Sequence, residues 1–134
     1  MNSMPNIMFS LLIAVLSLHF FTVTYRLNGT NRILFNVPIS IFESSIPLVS
    51  EDDDAHLYFS KEILEEKLDS YFASHLYKYV SEYSISYYYF NQEDYSICRN
   101  DQCTSIEINL KARIVLNFEY DKSASFYIRS NVNG

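Results

Sequence analysis

Two cysteines are the residues of this chain whose type and spacing most directly suggest chemistry. Cys98 and Cys103 are the only cysteines, and a polar tetrapeptide, Arg-Asn-Asp-Gln, separates them. Two cysteines at the base of a tight loop form a disulfide when their Cα atoms come within about 4.4–6.8 Å. The alternatives are a pair of reduced thiols and half of a zinc site, which needs four ligands and finds no histidine at a matching spacing. We predict the disulfide, which is typical of an oxidising compartment.

An aromatic run at residues 87–90 is the second feature with binding chemistry. Such rings stack on sugars or on a protein partner, although tyrosine and phenylalanine are also ordinary strand residues. Alternation along a strand assigns Tyr87 and Tyr89 to the face that is buried in the core. Tyr88 and Phe90 then lie on the opposite face, where an exposed aromatic patch indicates a contact surface. We therefore predict Tyr88 and Phe90 as a candidate partner contact.

The other chemically active residue types form no catalytic or metal-binding pattern. The sequence has no G-x-S-x-G elbow, no H-E-x-x-H, no Walker loop and no dinucleotide fingerprint. The acidic run Glu51–Asp54 has consecutive carboxylates and no following glycine, unlike a calcium loop of the EF type. We predict that this run is an exposed loop and that His75, beside an apolar helix stripe, is structural. The prediction is therefore of a protein that is not an enzyme, with no catalytic residue, metal site or cofactor.

The first structural element in the sequence is an apolar N-terminal segment. Ile7–Tyr25 carries no charge, and every Lys, Arg, Asp and Glu follows it, beginning at Arg26. It is about as long as a helix that crosses the roughly 30 Å hydrocarbon core of a bilayer. A secretory signal would have a basic start and a small-residue cleavage site, and a soluble core helix rarely runs so long without charge. We predict a retained transmembrane anchor over residues 1–26, with those two readings as alternatives.

Two observations bear on the side of the membrane and on the partners. Arg26 and Arg32 flank the C-terminal end of the anchor, which by the positive-inside rule favours a cytoplasmic domain. The cysteine pair favours the opposite side, and we predict a single-pass cell-membrane protein whose C-terminal domain is extracytoplasmic. The net charge of −6 argues against a nucleic-acid surface. The predicted partners are membrane lipid and other envelope protein subunits, without a small-molecule substrate.

Residues 27–57 are predicted to form a membrane-proximal connector. Asn28–Thr30 matches a glycosylation sequon, and its polar composition predicts a turn beside the membrane. The apolar stretch that follows is interrupted by Pro38 and Pro47, and proline breaks the interior of a helix. We expect a short strand or a broken helix here.

Residues 58–134 are predicted to form a small α+β domain. Ser60 is a good N-cap for a helix over 60–80, whose apolar residues recur at helical spacing. The apolar period then changes from 3.6 to 2, which indicates strands with one solvated face. Strands are predicted at 83–90, 106–120 and 125–129, with a turn at Asp121–Ser123 before the last. The predicted fold class is α+β: a transmembrane helix, then an amphipathic helix packed on a three-stranded antiparallel meander.

This layout resembles that of type IV pilin-like proteins, and especially the small TadE-like pilus-assembly proteins of Gram-positive bacteria. The resemblance rests on the hydrophobic N-terminal helix, the segment 58–79, the tyrosine-rich strand and the paired Cys98 and Cys103. It implies a structural or assembly role in a pilus-like or secretion apparatus. The alternative is an extracytoplasmic partner- or ligand-binding module unrelated to pili. No glycine or glutamate precedes Arg26, so the processing motif of such proteins is absent and the resemblance assigns no functional residue.

Overall fold

The computed structural model describes residues 3–46, 58–91, 94–100, 103–115 and 118–127. The predicted acidic loop at 51–54 lies outside these residues. The described chain is α+β, with a long apolar N-terminal helix and a further helix packed against a three-stranded antiparallel sheet, which confirms the predicted fold class. Its elements are α1 (Ser3–Phe35), α2 (Ile39–Ser44), α3 (Lys61–Leu76), β1 (Glu82–Phe90), β2 (Ser105–Val115) and β3 (Phe118–Tyr127).

Helix α1 is one continuous helix of 33 residues with two different environments. Every residue from Ser3 to Thr22 is exposed, whereas Gly29, Thr30, Ile33 and Leu34 are buried against the rest of the chain. The change of environment follows the sequence, because polar residues first become frequent at Arg26. Part of the predicted connector therefore belongs to the core.

The predicted turn at Asn28–Thr30 is wrong, because α1 runs straight through it. The Thr30 hydroxyl donates a hydrogen bond to the carbonyl of Arg26 at 2.8 Å. Gly29, which has no side chain, leaves room for the ring of Tyr79 to lie directly against the helix. Tertiary packing thus overrides a weak local preference for a turn.

A break at Pro38 separates α1 from the short helix α2, so the broken helix is the correct one of the two predicted alternatives. Proline disfavours helical geometry at the residue before it, here Val37. α2 packs on the core through Phe42, whose ring stacks on that of Phe126 with centroids 4.6 Å apart.

Helix α3 follows Ser60, as predicted, but ends at Leu76, before the predicted end at residue 80. Residues 77–79 form a turn that leads into β1. The helix buries a stripe of four residues at intervals of four, the spacing that places side chains above one another on one face. These residues are Leu64, Leu68, Phe72 and Leu76.

The sheet has the order β1-β2-β3 and turns its apolar face toward the helices. Odd-numbered residues of β1 pair with even-numbered residues of β2, as in Tyr87 with Ile108 and Tyr89 with Ile106. Both sets point to the core, and β2 supplies its centre. Ile106, Ile108, Leu110 and Ile114 of that strand have no exposed surface.

The predicted single strand over 106–120 is wrong, because the chain reverses between Val115 and Phe118. The predicted turn at Asp121–Ser123 lies instead within β3. Up to a register shift between Arg113 and Val115, even-numbered residues of β2 pair with even-numbered residues of β3, as in Ala112 with Tyr120. The alternation of apolar residues therefore continues unchanged through the reversal, and the pattern alone does not mark it.

Candidate functional site

The exposed half of α1 is the first candidate site. Among the residues that the structure describes, this N-terminal helix is long and apolar enough to cross a membrane. No residue of its most apolar 18-residue stretch is buried. Phe9, Leu16 and Phe20 expose 64%, 59% and 67% of their surface. Because a soluble monomer rarely exposes so large an apolar surface, this segment has the properties of a membrane span. A secretory signal sequence shares the same properties.

The buried half of α1 is joined to the domain by hydrogen bonds to three different elements. Arg26 Nη1 donates to the carbonyl of Ile114 in β2 at 2.9 Å. The hydroxyl of Tyr120 in β3 donates to Asn31 Oδ1 at 2.6 Å, and burial raises the pKa of Tyr120 to about 12. In α3 the hydroxyl of Tyr71 donates to the carbonyl of α1's Ile33 at 3.0 Å. The helix and the sheet are therefore one packed unit.

The predicted disulfide is present in the structure. Cys98 and Cys103 are bonded, with Cα atoms 6.0 Å apart and exposures of 4% and 1%. Cys98 N donates to the carbonyl of Tyr89 at 2.9 Å, and Phe59 N donates to the carbonyl of Cys103 at 2.8 Å. The disulfide thus closes the loop between β1 and β2, and the hydrogen bond from Phe59 connects that loop to the segment that precedes α3.

The outer face of the sheet carries an aromatic cavity near this loop, which we call the distal cavity. It measures about 700 Å³. Tyr88 and Phe90 lie on this face, as predicted, and Tyr88 is 55% exposed. In register, Tyr88 pairs with Glu107, which pairs with Ser125 on β3. The role of Tyr88 and Phe90 as a partner contact stays a prediction. The lining residues are Tyr88, Tyr89, Phe90, Tyr95, Ile97, Glu107, Ser125 and Tyr127.

Sequence reasoning missed several residues of the distal cavity because distant segments bring them there. Tyr95 and Ile97 arrive from the loop after β1, where Tyr95 has a left-handed backbone with φ 58°. The rings of Phe90 and Tyr95 stack with centroids 6.2 Å apart. Tyr127 arrives at the end of β3 and is paired across β2 with Phe90. For Tyr95 and Tyr127, only the aromatic residue type was a signal in the sequence, and Ile97 gave none.

A cluster of ionisable side chains lies between α3 and β1. The hydroxyl of Tyr87 donates to Asp69 Oδ1 at 2.5 Å, and Lys61 Nζ lies 4.8 Å from the ring centroid of Tyr89. Burial, with a further contribution from the Asp69 hydrogen bond, raises the pKa of Tyr87. Burial, together with the nearby Asp69 charge, raises the pKa of Glu65 as well. The Tyr87–Asp69 hydrogen bond and the Lys61–Tyr89 contact therefore join α3 to the edge strand β1.

The Nδ1 of His75 lies 2.7 Å from the carbonyl of Tyr71 one turn earlier, and the structural role of His75 stays a prediction. No group of three or more metal-ligating side chains occurs among the residues that the structure describes. No protein-family model matches the chain, and neither a curated protein nor a solved structure is significantly similar to it.

Proposed function

We propose that this protein is a single-pass, membrane-anchored envelope protein with a structural or assembly role in a pilus-like or secretion apparatus. The observation that carries the proposal is the double environment of α1. The residues from Ser3 to Thr22 are all exposed, whereas the second half of the helix is part of the core, and no break separates the two. A subunit built in this way holds its domain in a constant position relative to the membrane, which a repeating assembly requires.

Two surfaces support contacts between subunits. The exposed half of α1 offers Ala14, Ser10 and Ser17 among larger apolar residues, and small residues let membrane helices approach closely. In the described part of the sheet, β1 and β3 are edge strands. Unpaired edges are templates for pairing with a neighbouring chain.

The disulfide supports the extracytoplasmic side, because such bonds persist in oxidising compartments. Arg26 and Arg32 favour the opposite side by the positive-inside rule, but the guanidinium of Arg26 is hydrogen-bonded to Ile114 within the domain. That bond accounts for an arginine at this position without reference to topology.

The second candidate function is an extracytoplasmic partner- or ligand-binding module. The distal cavity favours it, because exposed rings of Tyr88, Tyr95 and Tyr127 surround a surface that includes the carboxylate of Glu107. Aromatic faces beside one carboxylate suit a flat or cationic group.

Photo-crosslinking in intact cells tests the assembly role. A photoreactive residue is placed at Leu12, on the exposed half of α1, and a matched one at Leu68, which is fully buried in the core. We expect the Leu12 variant to form crosslinked multimers or a reproducible crosslink to one envelope protein. The Leu68 variant should form no crosslinked product. Recovery of the intact chain as a monomer in the soluble fraction without detergent contradicts the proposal.

Thiol labelling tests the side of the membrane. Intact cells are treated with a membrane-impermeant maleimide before and after reduction. We expect Cys98 and Cys103 to react only after reduction, because the disulfide blocks both thiols on the outer side. Reaction only after lysis, without a reductant, shows a cytoplasmic domain with free thiols and contradicts the placement.

A further inference from the structure

We propose that the end of the α+β domain nearest the exposed half of α1 is a second membrane-contact surface. Tyr25, Tyr77, Lys78 and Phe118 define it, and we call it the juxtamembrane rim. Its occupant is the headgroup and glycerol layer of the bilayer that α1 crosses. The inference rests on the proposed retention of α1 as a membrane span and goes beyond it, because an anchored domain need not touch lipid.

The path of α3 brings its last turn to the base of the exposed helix. α3 runs antiparallel to the second half of α1. Lys67 Nζ lies 3.5 Å from the carbonyl of Ser44, and Tyr71 bonds the carbonyl of Ile33. In the turn that follows α3, the ring of Tyr79 packs against that of Tyr25, with centroids 5.4 Å apart. Tyr77 and Lys78 therefore lie where α1 leaves the domain.

The sheet presents its β2–β3 reversal at the same end. The hydrogen bond from Arg26 to the carbonyl of Ile114 places the end of β2 beside the first charged residue of α1. β2 ends at Val115, which pairs with Phe118 at the start of β3. Phe118 is 40% exposed at this reversal.

Because α1 is continuous, it keeps the domain close to the membrane surface. The apolar run Ile7–Tyr25 is about 28 Å long as a helix, close to the roughly 30 Å of the hydrocarbon core. The next residue, Arg26, is already bonded to β2. With no linker between span and domain, the rim lies at the depth of the lipid headgroups.

The exposed side chains of the rim suit that depth. Tyr25 and Tyr77 expose 64% and 67% of their surface, and amphipathic tyrosine rings are enriched at membrane interfaces. Lys78 Nζ lies 5.8 Å from the ring centroid of Tyr77, and a lysine can extend its charge from there to lipid phosphate. Exposed aromatic rings beside a span are costly in water and favourable in the interface.

The protein has no tryptophan, so single-tryptophan variants report depth without background. We would reconstitute the full chain in phosphatidylcholine vesicles whose acyl chains carry bromine close to the headgroup. Because both leaflets contain this lipid, the direction in which the chain inserts does not affect the quenching. Y77W and F118W are the test variants. Y95W is the matched control, because Tyr95 is 80% exposed beside the disulfide loop at the other end. F20W reports the span itself.

Brominated lipid should quench the emission of Y77W and F118W, because aromatic rings at this depth lie at the membrane interface, and should leave the emission of Y95W unchanged. Quenching of F20W alone overturns the rim and leaves the membrane anchor intact. Absence of quenching in F20W overturns the anchor, and with it the proposed function. Quenching of Y95W to the same extent as Y77W also overturns the rim, because the domain then lies on its side. Since the substituted rings are exposed, circular dichroism should show unchanged folding.

Discussion

The guanidinium of Arg26 donates a hydrogen bond to the backbone carbonyl of Ile114, which lies 88 positions later in the chain and 2.9 Å away. Arg26 is the first charged residue after the apolar run, and Ile114 lies close to the end of β2. The bond therefore marks the point at which α1 changes from an exposed helix to part of the core. It links the end of the candidate membrane span to the sheet.

Loss of this bond should destabilise the domain. R26A removes a charged donor and leaves the Ile114 carbonyl without its partner, so we expect a loss of about 1.5–3 kcal/mol in unfolding free energy. Chemical denaturation in detergent measures it. R32A is the matched control, because Arg32 is exposed on the same helix and its removal should cost less than about 0.5 kcal/mol. Equal losses in the two variants would show that the bond contributes nothing.

The effect of the G29A substitution on the free energy of unfolding should change sign when Tyr79 is replaced by alanine. A methyl group at Gly29 overlaps the Tyr79 ring, so G29A alone should lose about 1–3 kcal/mol through overpacking. In a Y79A background the overlap is absent, and G29A should then gain about 0.5–1 kcal/mol because alanine is the better helix former. A double-mutant cycle of unfolding free energies measures the coupling. Equal effects in both backgrounds contradict the close contact.

Reduction of Cys98–Cys103 should destabilise the fold without abolishing it. The bond closes a loop with a sequence separation of 5, and so short a loop corresponds to about 2 kcal/mol of chain entropy. We expect the thermal midpoint to fall when reductant is added. The C98A/C103A variant controls for other effects of the reductant and should show no shift. An unchanged midpoint for the native chain shows that the bond is not formed.

Stability should decrease at alkaline pH because buried tyrosines resist ionisation. Burial raises the pKa of Tyr120 to about 12 and also raises that of Tyr71. Unfolded tyrosine ionises near pH 10, so above that pH the unfolded state releases protons that the folded state retains. The contribution of these tyrosines to stability is therefore fully present below about pH 10 and is lost as pH rises toward 12. Unfolding midpoints and phenolate absorbance, measured together, test this, and Y120F should have a shallower decline.

Tyr88 and Tyr89 are neighbours on opposite faces of β1. Substitutions at these two positions therefore distinguish a contact with a partner from a contribution to stability. Y88S should change the unfolding free energy by less than about 0.5 kcal/mol, because Tyr88 is 55% exposed. Y89S should lose about 3 kcal/mol, because Tyr89 is 8% exposed and fills the core. If the distal cavity binds a partner, Y88S weakens partner crosslinking while the fold is intact. Unchanged crosslinking in Y88S removes Tyr88 from the predicted contact.

Several parts of this fold were readable from the sequence because they depend on neighbours within a few positions. The length of the charge-free run predicts a membrane-spanning helix, and the spacing of Leu64, Leu68 and Phe72 predicts the buried face of α3. The alternation in β1 assigns Tyr88 and Phe90 to the outer face, and the spacing of the cysteines suits a loop-closing disulfide.

Only the tertiary structure decided where these elements meet. α1 continues through Asn28–Thr30 because Tyr79, 50 positions beyond Gly29, packs against it, and β2 ends at Val115 although the alternation does not. The distal cavity and the Arg26–Ile114 bond join segments that no local pattern relates. Periodicity records which face of an element is buried, whereas the packing partner on that face depends on the path of the whole chain.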